Sequence, residues 1–188
     1  MRKNRFWRSF YNIIAPLYDP FFGADTIFVR DMRKRIVERL ELEKGDRVAE
    51  IAVGTGANLQ YISEKIGPKG RISGLDISEA MLGRCRKNMK KKGLSAELTL
   101  GDAEKLPYET GSFDAVLCFG IFNHVDHQEK VLSELIRIAK PDAKIVIGDE
   151  IFPFLVNEPK KLPGSVKEIK HSVEKAVFSF WIMEFRKV

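Results

Sequence analysis

The residues of this chain best placed to do chemistry are carboxylates standing beside glycine turns. The stretch Val48-Ala49-Glu50-Ile51-Ala52-Val53-Gly54-Thr55-Gly56-Ala57-Asn58-Leu59 reads as a buried strand, a glycine turn and a helix start. Gly74-Leu75-Asp76-Ile77-Ser78 follows about one βα unit later. A turn of this kind lets backbone approach a ligand closely, and a carboxylate roughly 20 positions on accepts hydrogen bonds from a pair of ribose hydroxyls. Together they predict a nucleoside-bearing ligand, with Asp76 on the ribose. The competing role for Asp76 is an N-cap, which Ser78 fills better. A dinucleotide site needs a third glycine in G-x-G-x-x-G, where a helix N-terminus receives a pyrophosphate. Ala57, Asn58 and Leu59 supply none, so a dehydrogenase is disfavoured. His124, beside an apolar strand end, is a candidate general base, and a structural histidine is the alternative.

These side chains need a scaffold, and the apolar pattern supplies one. Strands are expected at 47–53, 71–76, 96–100, 113–119 and 144–148, with helices at 57–66, 79–92 and, behind an Asp126/Glu129 capping box, up to about Ala139. Continuous apolar strands separated by helices imply a parallel sheet covered on both faces. Upstream, 26–41 reads as a helix with Asp25 as N-cap and Phe28, Met32, Ile36 and Leu40 one turn apart. Before it, Phe6, Trp7, Phe10, Tyr11, Ile14, Leu17 and Tyr18 fall at helical spacing, and Pro16 and Pro20 should end or kink that helix. The last forty residues hold Pro153, Pro159 and Pro163, with room for a short helix, then 166–171 and 176–187 as an antiparallel pair.

At 188 residues, 44% hydrophobic and 31% charged, the chain reads as one soluble domain, with 1–22 as a lid or interface segment and 23–188 as sheet and helices. No apolar run approaches the ~20 residues that span a bilayer, and the basic N-terminus lacks the features of a signal peptide. Cys85 and Cys118 show no metal-ligand spacing, no metal is expected, and a reducing, cytoplasmic compartment is the default. The net charge of +6 concentrates at Arg2, Lys3, Arg5 and Arg8, and again at Arg84, Arg86, Lys87, Lys90, Lys91 and Lys92. Solvated helix faces, an anionic membrane surface and a nucleic-acid backbone are the three readings of such clusters.

The motifs resemble the class I S-adenosylmethionine-dependent methyltransferases. Glu50-x-Ala52-x-Gly54-x-Gly56 is similar to their acidic G-x-G-x-G turn. Gly101-Asp102-Ala103-Glu104-Lys105-Leu106-Pro107 with Phe113-Asp114-Ala115-Val116 resembles their G-D-A-x-x-L-P…F-D-x-V block, and His124-Val125-Asp126 through Pro141 a later one. The opening Tyr11-Asn12-Ile13-Ile14-Ala15-Pro16-Leu17-Tyr18-Asp19 is similar to the quinone and phospholipid branch. The resemblance implies a Rossmann-like α/β fold with a mostly parallel seven-stranded sheet, order 3-2-1-4-5-7-6 and helices on both faces. It implies S-adenosylmethionine as cofactor, S-adenosylhomocysteine as product, and a small-molecule or lipid-like acceptor. Glu50, Ala52, Gly54 and Gly56 would meet the methionine end, Asp76 and Ile77 the ribose, Asp102 and Ala103 the adenine. Phe119 would follow at the switch of the sheet, and His124 and Tyr18 would be the catalytic candidates. Ala52 departs from the family's first glycine. A structural carboxylate at Glu50, a turn aspartate at Asp102 and core packing for Tyr11 and Tyr18 stand as alternatives. Cys118-Phe119-Gly120-Ile121 occupies the place of the D/N-P-P-Y/F motif, and no Pro-Cys nucleophile occurs, which argues against two kinds of base methylation. An RNA methyltransferase and a non-catalytic cofactor-binding protein are the remaining alternatives, with peripheral membrane contact through the N-terminal segment as a further expectation.

Overall fold

The computed structural model describes residues 3–22, 27–151, 164, 166–174 and 179–188. In chain order the elements are α1 (Lys3–Phe22), α2 (Ile27–Glu38), β1 (Arg47–Ile51), α3 (Leu59–Ile66), β2 (Arg71–Asp76), α4 (Glu79–Lys92), β3 (Glu97–Leu100), β4 (Phe113–Phe119), α5 (Gln128–Ile138), β5 (Ala139–Ile151), β6 (Val166–Glu174) and β7 (Ser179–Lys187). The strands form one seven-stranded sheet in the order β3-β2-β1-β4-β5-β7-β6. The first five pair in parallel, and β7 runs antiparallel between β5 and β6. The sheet is therefore mixed, in the order expected.

The near-unbroken apolar run of β4 follows from burial on both faces. Ala115 and Leu117 pack with Ile36 of α2, Leu40 in the turn after it, Ile62 of α3 and Leu82 of α4. Val116 and Cys118 point the other way, onto Val131, Leu132 and Leu135 of α5. Side chains alternate along a strand, so a strand sandwiched by two helical layers needs apolar residues at every position. Both cysteines are buried thiols, and burial pushes Cys118 well above the ordinary thiol range. Between β1 and β4 the connections diverge to opposite edges, which opens a crevice at the carboxyl ends of the strands.

Several local expectations need correction. α1 runs through both Pro16 and Pro20 without ending. Each proline forfeits one backbone bond, and tertiary contacts hold the helix instead: Ala15 is buried, and Asn12 caps the neighbouring helix α4 (below). The Asp126/Glu129 capping box does not form. His127 is the N-cap of α5 and makes no side-chain cap bond, because the amides of Asp126 and His127 donate to the Glu104 carboxylate at 3.1 and 3.0 Å. β5 is much longer than 144–148, since pairing with β7 carries it on to Ile151 and Ala139 pairs with Phe113 of β4 at its other end. α2 spans Ile27–Glu38, and of its expected stripe Ile36 and Leu40 are buried and Met32 partly so. Asp25, the Phe28 side chain and the short helix expected at 152–163 lie outside the described residues.

An ion-pair group fixes α2 and the turn after it against the sheet. Lys144, nearly fully buried on β5, donates to Glu41 at 2.7 Å and lies 3.5 Å from Glu184 of β7. Arg39 also pairs with Glu184, and Arg186 with Glu41 at 2.8 Å. A buried ammonium without such partners would be strongly destabilising. Among the described residues, no helix is long and apolar enough to cross a membrane.

Candidate active site

A cavity of about 320 Å³ occupies the crevice at the carboxyl ends of β1, β2 and β4, with α1 as its outer wall. Its volume lies at the lower end of the range usual for small-molecule sites. Ala52, Gly54, Asp76, Ile77, Asp102 and Ala103 all line it, as do Phe119 and His124. Of the expected site residues, Glu50 and Gly56 do not line it and stand behind this wall, and the side chain of Tyr18 on α1 lies outside the described residues.

Asp76 ends β2 with a buried carboxylate. One oxygen accepts from the Ser78 amide and the other from the Gly54 amide, both at 2.9 Å. Burial raises its pKa, and the amides of Ser78, Gly54 and Ile77 pull it back. Each carboxylate oxygen accepts more than one hydrogen bond, so both can still receive hydroxyls from the cavity. Ser78 is the α4 N-cap, accepting from the Met81 amide at 3.2 Å, so the capping role did not fall to Asp76. The Ser78 hydroxyl also bonds Asn12 of α1 at 2.6 Å, and the Ala80 amide reaches the same Asn12 oxygen at 3.3 Å. The outer helix is thus pinned two residues from the carboxylate.

The two turn glycines serve different ends. Both hold positive φ, 56° at Gly54 and 83° at Gly56. A Cβ on Gly54 would meet nothing within 4 Å, so its missing side chain leaves open space in the cavity wall. A Cβ on Gly56 would come within 2.7 Å of the Cys85 sulfur and 2.9 Å of Leu59 Cδ1. Gly56 therefore lets α4 and α3 close on the turn. Ala52 also adopts a left-handed φ of 63°, a conformation that is costly with a Cβ and natural for glycine.

Behind the turn, three polar side chains form a relay that the sequence did not reveal. Asn58 donates to Glu50 Oε1 at 2.6 Å, and Arg33 of α2 donates to Asn58 Oδ1 at 3.3 Å. Asn58 precedes α3 without capping it, because its side chain is spent on Glu50. Arg33 and Asn58 both line the cavity. Glu50 Oε2 and Arg33 Nε are buried with no hydrogen-bond partner. Desolvation raises Glu50 to about 7, against the pull of Asn58 and Arg33. Glu50 makes no backbone-amide bond of the structural kind considered above, and its orphan oxygen fits a site that is completed by a cationic or donor ligand. Nothing in the sequence marked Arg33, which sits on the polar side of an amphipathic helix and reaches the cavity only through the packing of α2.

Asp102 accepts from the Glu104 amide at 2.9 Å, as a turn aspartate does, and still lines the cavity beside buried Ala103. At the other end, His124 contacts α1. Its ring centroid lies 3.9 Å from that of Trp7, and Nδ1 lies 3.3 Å from the Tyr11 hydroxyl, with the tautomer deciding which donates. Asp149 of β5, another residue the sequence reading passed over, is buried in the lining and accepts from the Asn123 amide at 2.9 Å. Acidic and polar groups thus gather at the β1–β2 side, and aromatic rings at the α1 side.

Residues 48–142, about half of the chain, match a family model described as "Methyltransferase domain". This chain belongs to the class I S-adenosylmethionine-dependent methyltransferases. The chain is 34% identical over 138 residues to a demethylmenaquinone methyltransferase of Lactobacillus johnsonii, a match covering 71% of this chain and 56% of that protein. It spans less than two thirds of the length of the curated relatives first matched. Among solved structures, a SAM-dependent methyltransferase from Aquifex aeolicus aligns with a TM-score of 0.68 and 22% identity, covering 83% of this chain and 89% of that one. The [4+2]-cyclase SpnF aligns with a TM-score of 0.79 and 14% identity, covering 96% and 94%. At such identities this chain shares their fold, and the fold alone does not fix its chemistry.

Proposed function

We propose that the methyltransferase holds S-adenosylmethionine in the crevice and transfers its methyl group to a small, lipid-like acceptor of quinone type under α1. The observation that carries this reading is the buried Asp76 carboxylate facing the cavity beside the open space at Gly54. A charged acceptor at that point suits a ribose. The cavity-lining Arg33 suits the carboxylate of the amino-acid end, with Glu50 behind the wall acting through Asn58, and Asp102 with Ala103 offers an acceptor and a backbone donor for adenine. The residues present therefore fit this ligand.

When bound, the cofactor supplies a methyl group already activated on a sulfonium. The protein's share is mainly orientation and exclusion of water, which can contribute about 7–11 kcal/mol in favourable cases. Trp7, Phe10, Tyr11 and Ile14 close the acceptor side with apolar surface. Their rings suit a flat aromatic acceptor, in keeping with the curated name of the Lactobacillus johnsonii relative. His124 takes up a proton released by the acceptor, and Tyr11, bonded to its ring, orients it. Tyr18 is retained as a second candidate contact on the same helix.

The test is a transfer assay with methyl-labelled cofactor, purified protein and a whole-cell extract, followed by separation into organic and aqueous phases. Protein-dependent label in the organic phase supports the lipid-like acceptor. Label confined to the aqueous phase and removed by nuclease would replace it with RNA. Binding of S-adenosylhomocysteine with no transfer to either phase would leave a non-catalytic cofactor-binding protein.

A further inference from the structure

α1 carries two apolar faces, and only one of them is used inside the protein. Trp7, Tyr11 and Ile14 line the cavity, and Ala15 is buried. Phe6, Phe10, Ile13 and Leu17 are 48, 39, 77 and 65% exposed. Their spacing of four, three and four residues sets them in one stripe along the outside of the helix. The stripe joins the cavity without a polar break. Phe6 and Phe10 stack at 6.3 Å, both meet Trp7 edge-on at 5.3 and 5.4 Å, and Phe10 belongs to stripe and cavity alike. An ordered stripe of large apolar side chains facing water is the mark of an interaction surface.

Charge indicates what covers it. Between residues 5 and 17 the helix has no acidic residue, and Arg5 and Arg8 are exposed on its polar side. α4, to which Asn12 pins the helix, adds Arg84, Arg86, Lys87, Lys90, Lys91 and Lys92, with one acidic residue, Glu79, paired to Arg86. Pairing with a second copy of the chain through the stripe would gather these cations against a stretch of α1, residues 5 to 17, that offers no acidic partner. An apolar interior beneath anionic headgroups satisfies both the stripe and the charge.

We propose that α1 seats the domain on an anionic lipid bilayer, with Phe6, Phe10, Ile13 and Leu17 entering the acyl boundary. The aromatic path from stripe to cavity then delivers an acceptor with an apolar tail to His124 directly from the lipid. This delivery rests on the reading of the cavity as the acceptor site, whereas the docking does not.

The experiment is co-sedimentation of the purified chain with mixed phosphatidylcholine–phosphatidylglycerol vesicles and with phosphatidylcholine alone. It is run on wild type and on the double variant Ile13→Ser, Leu17→Ser, whose positions lie outside the cavity lining. Wild type should partition onto the anionic vesicles, and the double variant on the order of tenfold or more weakly, because two large side chains no longer leave water. Its melting temperature and its affinity for S-adenosylhomocysteine should stay unchanged. Wild type failing to sediment with either vesicle, or a double variant that sediments like wild type, overturns the proposal. So does a concentration-dependent dimer in velocity sedimentation that the double variant abolishes, since the stripe would then be a self-interface. Calorimetry with S-adenosylhomocysteine on the same samples separates the two readings: lost cofactor binding beside intact vesicle binding sinks the proposed function and leaves the docking.

Discussion

Asp76 and Glu50 are both buried carboxylates, yet they answer to different physics. Asp76 is held by backbone amides and faces the cavity, so its replacement should be felt by the ligand first. Asp76→Ala is expected to weaken S-adenosylhomocysteine binding on the order of tenfold or more, through loss of charge-assisted hydrogen bonds. Calorimetry at a temperature where the variant is folded checks this, and unchanged affinity would remove the ribose assignment. Glu50 is set by desolvation, which raises it from 4.5 to about 7. A carboxyl whose folded pKa lies above its unfolded value takes up a proton on folding. Stability therefore falls as pH rises from about 4.5 to about 7, and stays lower above that window. The loss is roughly 3 kcal/mol at most. Glu50→Gln should flatten that dependence, melting higher than wild type at pH 8 and no higher near pH 4, as thermal denaturation across pH would show. A variant that melts lower at pH 8 would mean that the ionised carboxylate is stabilising where it sits.

At the scale of elements, the glycine turn between β1 and α3 does two jobs that the motif runs together. Gly56→Ala must push a Cβ into Cys85 and Leu59 while keeping a positive φ. It should cost about 1–3 kcal/mol of stability by overpacking alone. Gly54→Ala meets no neighbour, so it should cost only the left-handed strain, about 1–2 kcal/mol, and act chiefly on ligand affinity. Denaturant unfolding and calorimetry on the pair test the division. A Gly54 variant that binds normally would show that the open space there is not used. The element errors of the sequence reading share one cause. The capping box of α5 lost to Glu104, the prolines of α1 to its packing on α4, and the C-terminal end of β5 to its pairing with β7. Each is a local preference worth about 1–3 kcal/mol overridden by a partner distant in sequence.

For the whole molecule, α1 is the part whose removal is most informative. Among the described side chains, neither apolar core cluster contains a residue of α1, although the helix supplies one wall of the cavity. Deleting residues 1–22 should therefore leave a cooperatively unfolding sheet while abolishing methyl transfer, measured by thermal denaturation and the labelled assay. Global unfolding of the truncated chain would make α1 part of the core. Much of the scaffold was legible in the sequence because its signals are local. β2, β4 and α4 fall on the very residues their apolar runs and caps predicted. The resemblance carried by the ordered motifs implied strand order and cofactor class, and the closeness of the glycine turn to the strand-end carboxylate follows from a parallel sheet of this connectivity. What only the tertiary structure decided are the contacts between distant segments: Arg33 and Asn58 behind Glu50, Asn12 on the α4 cap, and Trp7 and Tyr11 on His124. No periodicity records these pairings, because each depends on how two helices cross the sheet. For the same reason the sequence marked 1–22 as a lid or interface segment without dividing its apolar residues between cavity and solvent, and only the packed molecule shows that Phe6, Phe10, Ile13 and Leu17 face water.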